Sequence, residues 1–209
     1  MIKFLLHLVL YRILMRNFLR LFLGLSYKNF NTLKNYDQFI IIANHNSHID
    51  TMAILSALPF KKITKLHPIA AGDYFGRNKI TAILTTLFVN SLLISRNKKE
   101  SKNNALDEID LLIKSGKSIL IFPEGSRGIP EVIQEFKHGT SILLKRNPSV
   151  PIFPILFKGL GKALPKGDPI LIPFQCEMIL GRPLEFKNVI EMPVEEITQK
   201  LKDSIIELN

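Results

Sequence analysis

The chain has 209 residues, enough for one domain with a sizeable core, and a hydrophobic fraction of 46% sets it apart from a disordered polymer. Its single cysteine, Cys176, excludes an internal disulfide framework and fits a reducing compartment. A formal charge of +10, from 28 basic and 18 acidic residues, asks for an anionic partner: nucleic acid, an anionic membrane or a phosphorylated small molecule.

The charge is unevenly placed. Residues 1–36 carry Lys3, Arg12, Arg16, Arg20, Lys28 and Lys34, and no acid precedes Asp37. No stretch here reaches the roughly 18 unbroken apolar residues of a spanning helix. Arg12, Arg16 and Arg20 recur every four residues and share one side of a helix, with Leu14, Phe18, Leu21 and Leu25 opposite. The pattern predicts a helix lying in the bilayer interface, guanidinium groups at the lipid phosphates and aliphatic side chains among the acyl chains. The competing reading is a helix packed on the rest of the domain with solvated arginines. A cleaved signal peptide is disfavoured by the short apolar region, the missing A-x-A site and the three arginines. The basic residues alternate with Leu and Ile and no nucleic-acid-binding motif is present, so nucleic acid is not an expected partner.

Beyond this segment apolar runs alternate in type. "FIIIAN" (39–44), "HPIAAG" (67–72), "SLLIS" (91–95) and "SILIF" (118–122) read as strands, as do "VPIFPILF" (150–157), the stretch near "ILIPF" and "QCEMIL" (175–180). Helices are expected at 49–58, 78–88, from a Ser101 cap to Ser115 with Gly116 just past the end, at 140–146, and from Val194 to Leu208. Residues 158–168, with three glycines and three lysines, read as a basic loop without the GxxxxGK[ST] order of a phosphate loop. The alternation implies an α/β fold: a central, mostly parallel or mixed sheet flanked by helices, preceded by the amphipathic N-terminal helix.

Ligands in such sheets gather at the carboxyl ends of strands. Two polar clusters follow strands here, "NHNSHID" (44–50) and "PEGSRG" (123–128), and both are expected on one rim. His45 and Asp50 lie five apart, which on a continuous helix leaves them about 140° apart. They meet only if His45 is in the loop and Asp50 in the first turn of the next helix, with Asn46 or Ser47 as cap. The carboxylate then fixes the imidazole tautomer and leaves the other ring nitrogen as a general base. No GxSxG elbow supplies a protein nucleophile, and Ser47 and Ser126 suit cap and turn positions. Such a base must activate a substrate hydroxyl or water. Arg127 offers a planar fork for phosphate, Arg96 a second one, Gly125 a close backbone approach, and Glu124 a partner for Arg127 or a substrate hydroxyl. His45, His48 and Asp50 also form a chemically possible metal set, H-x-x-H-x-D, without an evident fourth ligand. Cys176 reads as a core residue, and His67 and His138 as structural.

"NHNSHID" matches the N-H-x-S-x-x-D element, and "FPEGSRG" the F-P-E-G-[ST]-R element, of the 1-acylglycerol-3-phosphate (lysophosphatidate) acyltransferases, in the expected order and about 80 residues apart. "LLISR", ending in Arg96, and "VPIFPI" (150–155) resemble two further blocks, so the resemblance spans roughly residues 38–183. Two positions depart: Asn90 stands where a glycine is usual, and "AAGDYFG" lacks a common lysine, which leaves the acceptor head group open. The resemblance implies transfer of a fatty acyl group from acyl-CoA or acyl carrier protein to a lysophospholipid hydroxyl. His45 is then the base and Asp50 its partner, with Arg96, Glu124, Gly125, Ser126 and Arg127 on the acceptor, and no metal or other cofactor. Backbone N–H groups at the start of the helix after Ser47 are expected to stabilise the oxyanion. The implied organisation is an interfacial segment, 1–30, and an acyltransferase domain, 31–209, peripheral to the cytoplasmic face of an anionic membrane. Two alternatives use the same residues: a thioester or phospholipid hydrolase, and a non-catalytic lipid-binding protein.

Overall fold

A computed structural model of the chain describes residues 2–47, 49–71, 92–94, 102–164 and 170–209. Among these, the apolar runs form a seven-stranded sheet: β1 (Ser26–Lys28), β2 (Ile40–Ala43), β3 (Leu66–Ala71), β4 (Leu92–Ile94), β5 (Ser118–Ile121), β6 (Ile152–Lys158) and β7 (Glu177–Leu180). The order is β1-β7-β6-β2-β5-β3-β4. Neighbours pair in parallel except β6 with β7, so the sheet is mixed, with β1 and β7 reversed at one edge. The helices are α1 (Ile2–His7), α2 (Arg16–Leu23), α3 (Asp50–Ala57), α4 (Phe60–Ile63), α5 (Lys102–Lys114), α6 (Gly139–Arg146), α7 (Leu160–Ala163) and α8 (Val194–Ile206).

Period-two alternation sends the side chains of β2 into two separate cores, which is why all four of its residues are buried. Ile41 and Ala43 join Phe153 and Ile155 of β6, Ala53 and Ile54 of α3, and Leu19 and Leu23 of α2. Ile40 and Ile42 join Ile109 and Ile113 of α5, Leu143 of α6, and Ile197, Leu201 and Ile205 of α8. The result is helices on both faces of one sheet, as the alternation of elements predicts.

The N-terminal segment departs from a plain amphipathic helix. A π-helical stretch, Leu8–Met15, joins α1 to α2. Tyr11, Leu19 and Leu23, spaced by eight and four, fall on the core side. Gly24, in the left-handed region at φ 55°, ends α2. Leu25 therefore lies beyond the helix and is buried, not on the outer face where its spacing put it. Leu14, Phe18 and Leu21 are exposed as expected, together with Leu5, Leu6, Val9, Ile13 and Phe22. Arg16 turns inward: its Nη1 donates to the Ser56 carbonyl at 3.1 Å, and its guanidinium lies 4.5 Å from the centre of the Tyr27 ring. It is thus engaged with the C-terminal end of α3, a favourable place for a cation, and not extended toward a lipid phosphate. No helix among the described residues is long and apolar enough to cross a membrane.

Other differences are local. β1 was not expected; Ser26–Lys28 pairs with β7 where the sequence shows only a short polar-aromatic run. The stretch near "ILIPF" (170–174), expected as a strand, forms none. Residues 158–168 are not one loop, because the end of β6 and the single turn of α7 occupy their first half. The helix expected at 78–88 lies outside the described residues, as do Ser101 and Arg96.

Candidate active site

β2 and β5 run side by side in parallel, Ile42 opposite Ile121, so the clusters that follow them emerge on the same rim. Three contacts lock them together. The His45 N–H donates to Glu124 Oε1 at 3.0 Å, the Gly128 N–H donates to the His45 carbonyl at 3.0 Å, and the His45 imidazole stacks on Phe122 with centroids 4.0 Å apart and planes 19° from parallel. On the other side of β2, Asn44 clamps β6: its Nδ2 donates to the Phe157 carbonyl at 3.1 Å and its Oδ1 accepts the Phe157 N–H at 2.8 Å. The loop carrying His45 is therefore held from both neighbouring strands.

His45 sits in the loop and Asp50 opens α3, and they meet: Nδ1 and Asp50 Oδ2 are 2.9 Å apart. The same Oδ2 accepts the N–H groups of Asn46 at 2.8 Å and Ser47 at 2.9 Å. Asp50 is fully buried, and its Oδ1 has no hydrogen-bond partner among the described residues. A carboxylate oxygen that already takes two fixed backbone N–H groups acts as an acceptor, so Nδ1 is the ring nitrogen that donates to it. That leaves Nε2 as the basic nitrogen, on a side chain 21% exposed. The cap differs from expectation. Ile49 occupies the N-cap position without a side-chain bond, and Asp50 ties the loop down from inside the first turn. Ser47 Oγ instead donates to the Leu164 carbonyl at 2.9 Å, next to α7. Since Asp50 takes the Asn46 and Ser47 N–H groups, neither is open to an oxyanion.

Glu124 is buried, with Oε1 engaged and Oε2 without a partner among the described residues. Burial pushes its carboxyl up to about 7; the His45 and Gln134 N–H groups oppose the rise, the Asp50 carboxylate adds to it, and Lys202 opposes it. Gly125 adopts φ 76°, and a Cβ there would lie 2.6 Å from Lys137 Nζ. Its need for glycine is thus the left-handed turn and the lysine packed over it. Ser126 is exposed in the turn, and Arg127 is half-buried beside Gly128, one residue from the bond to His45. Arg96 and His48 lie outside the described residues. Sequence reasoning placed Asn44 and Phe122 in the two clusters but gave them no role, and it missed Lys137 as part of this rim. Cys176 is buried, with its thiol pushed up to about 12 by burial, as befits a core residue. His138 Nδ1 contacts Thr198 Oγ1 at 3.1 Å, between α6 and α8.

A family model described as Acyltransferase matches residues 25–158. A probable 1-acyl-sn-glycerol-3-phosphate acyltransferase of Mycoplasma genitalium is 28% identical over 124 residues, 59% of this chain and 45% of that protein. A chloroplastic 1-acyl-sn-glycerol-3-phosphate acyltransferase of Brassica napus is 25% identical over 169 residues, 79% of this chain and 46% of that protein. The chain spans less than half the length of these relatives. The crystal structure of the 1-acyl-sn-glycerophosphate acyltransferase PlsC from Thermotoga maritima has a similar fold, with a TM-score of 0.71 over 93% of this chain and 78% of that one, at 20% identity.

Proposed function

Given that the chain belongs to the acyltransferase family, we propose that it transfers a fatty acyl group from a thioester, acyl-CoA or acyl carrier protein, to the free hydroxyl of a lysophospholipid. The acceptor we favour is 1-acylglycerol-3-phosphate, named in the relatives' descriptions, with phosphatidic acid as product. One observation carries the reading: the His45–Asp50 pair, 2.9 Å apart, shares a rim and three contacts with the turn that bears Arg127.

In this reading His45 Nε2 takes the proton of the acceptor hydroxyl as its oxygen attacks the thioester carbonyl. The C–O bond forms, the C–S bond breaks, and the imidazolium returns its proton to the departing thiolate. Asp50 faces that imidazolium and stabilises it. Arg127, with Arg96, holds the acceptor phosphate. Gly125 and Ser126 shape the turn that presents Arg127. Glu124, with one oxygen on the His45 N–H and the other buried, serves first as the holder of the His45 loop. The reaction uses no metal or cofactor. Residues 1–30 form the interfacial segment and 31–209 the acyltransferase domain, at the cytoplasmic face of an anionic membrane; the exposed apolar side chains of α1 and α2 support this.

The test is thiol release by purified protein across a panel of acyl donors and lysolipid acceptors, with His45→Ala alongside. Release that requires both acceptor and His45 is expected. Free fatty acid produced without an acceptor makes the protein a hydrolase, and lipid binding without turnover by the wild type makes it a carrier.

A further inference from the structure

Residues 170–176, Ile-Leu-Ile-Pro-Phe-Gln-Cys, form neither helix nor strand and lead into β7. Leu171 packs against the core, while Ile170, Ile172 and Phe174 are exposed by 66%, 50% and 42%. Three large apolar side chains so close together on a surface mark a contact, because water gains nothing from them.

Backbone bonds fix where this patch lies. The Ile172 N–H donates to the Ala163 carbonyl at 2.9 Å; the next carbonyl, Leu164, accepts the Ser47 hydroxyl of the His45 loop. At the far end, the Cys176 N–H donates to the Leu23 carbonyl at 3.2 Å, at the end of α2, where Leu21 and Phe22 are exposed. The patch therefore bridges the His45 loop and the outer apolar side chains of α2. It contains no acid, and the Lys162 ammonium lies 5.2 Å from the centre of the Phe174 ring. An aromatic and a lysine bordering aliphatic side chains match the level in a bilayer where acyl chains give way to anionic head groups. A soluble protein partner would not require this chemistry to continue into α2.

We propose that Ile170, Ile172 and Phe174 form a second lipid-contacting surface, which enters the interface beside α2 and holds the His45 loop against the lipid. The proposal rests on the membrane reading of α1 and α2, and the experiment separates the two. The chain has no tryptophan, so a single one reports its own surroundings. Phe174→Trp and, in a separate protein, Leu21→Trp are mixed with vesicles of phosphatidylcholine and phosphatidylglycerol carrying brominated acyl chains.

Quenching of both reporters is expected. Ile170→Ser/Ile172→Ser is expected to weaken vesicle partitioning of the full chain by about tenfold or more. Quenching at position 21 but not at 174 overturns the second surface and leaves the first. Absence of quenching at both overturns both. A concentration-dependent dimer, lost in the Ile170→Ser/Ile172→Ser protein while position 174 stays unquenched, assigns the patch to a second copy and likewise overturns the proposal.

Discussion

Asp50→Asn isolates the charge of the site from its shape. Asp50 Oδ2 takes all three bonds, to His45 Nδ1 and to the Asn46 and Ser47 N–H groups, while Oδ1 takes none among the described residues. Two fixed backbone donors therefore force the asparagine to place its oxygen where Oδ2 was, and its amide nitrogen where Oδ1 was. The loop, the tautomer and the fold survive; the negative charge does not. When His45 becomes cationic, an opposite charge roughly 4 Å away is worth about 4 kcal/mol at an effective dielectric constant of about 20. Its loss slows the chemical step by about 10³-fold. The assay is steady-state thiol release over a range of lysophosphatidate and acyl-CoA concentrations, with thermal unfolding followed by circular dichroism on the same preparations. A fall in kcat with KM and Tm held is expected. Turnover within about tenfold of wild type, in a protein that melts normally, would show that no imidazolium forms against Asp50 and would remove the proposed base.

Glu124 predicts a pH dependence of stability. Its folded value of about 7 lies above the ordinary 4.5, so its contribution is fully present below about pH 4.5 and is lost as pH rises through about 7. The loss is on the order of 3 kcal/mol, and Glu124→Gln, which can still accept the His45 N–H, should be the more stable protein at pH 8 and show a flatter profile in urea unfolding from pH 5 to 8. Parallel profiles for the two proteins would contradict the assignment. Gly125→Ala forces a side chain into the left-handed region and against Lys137, at a cost of about 1–2 kcal/mol that should lower the urea midpoint; an unchanged midpoint refutes the strain. Arg16→Ala removes both the Ser56 bond and the Tyr27 stack and should destabilise by about 2 kcal/mol, whereas the exposed Arg20→Ala should stay within about 0.5 kcal/mol. Equal effects of the two would place Arg16 outside the core.

The sheet and the meeting of two polar clusters on one rim were legible because buried strands are written as unbroken apolar runs, as in Ile40–Ala43 and Ser118–Ile121. The His45–Asp50 contact was legible too, since only a loop-to-helix junction brings residues five apart together. What was hidden depends on partners distant in sequence. β1 exists because β7 offers an edge, and its three residues carry no strand pattern of their own. Arg16 looks like its neighbours Arg12 and Arg20, and only the Ser56 carbonyl and the Tyr27 ring distinguish it. The capping expectation holds only weakly for a related reason: Ser47 Oγ accepts the Ile49 N–H at 3.5 Å, but Asp50 satisfies the Asn46 and Ser47 N–H groups from within the helix.

The join between α2 and the sheet has a mechanical consequence. Gly24 and Leu25 separate α2 from β1, Leu25 is sunk in the core, and the Cys176 carbonyl accepts the Ser26 N–H. Nothing in that connection can act as a tether. If α2 floats in a leaflet, His45 rides at a set height above it, like a fitting bolted to a keel. The lipid must then rise to the histidine, and acceptors whose reactive hydroxyl sits at the wrong depth would be turned away by altitude alone.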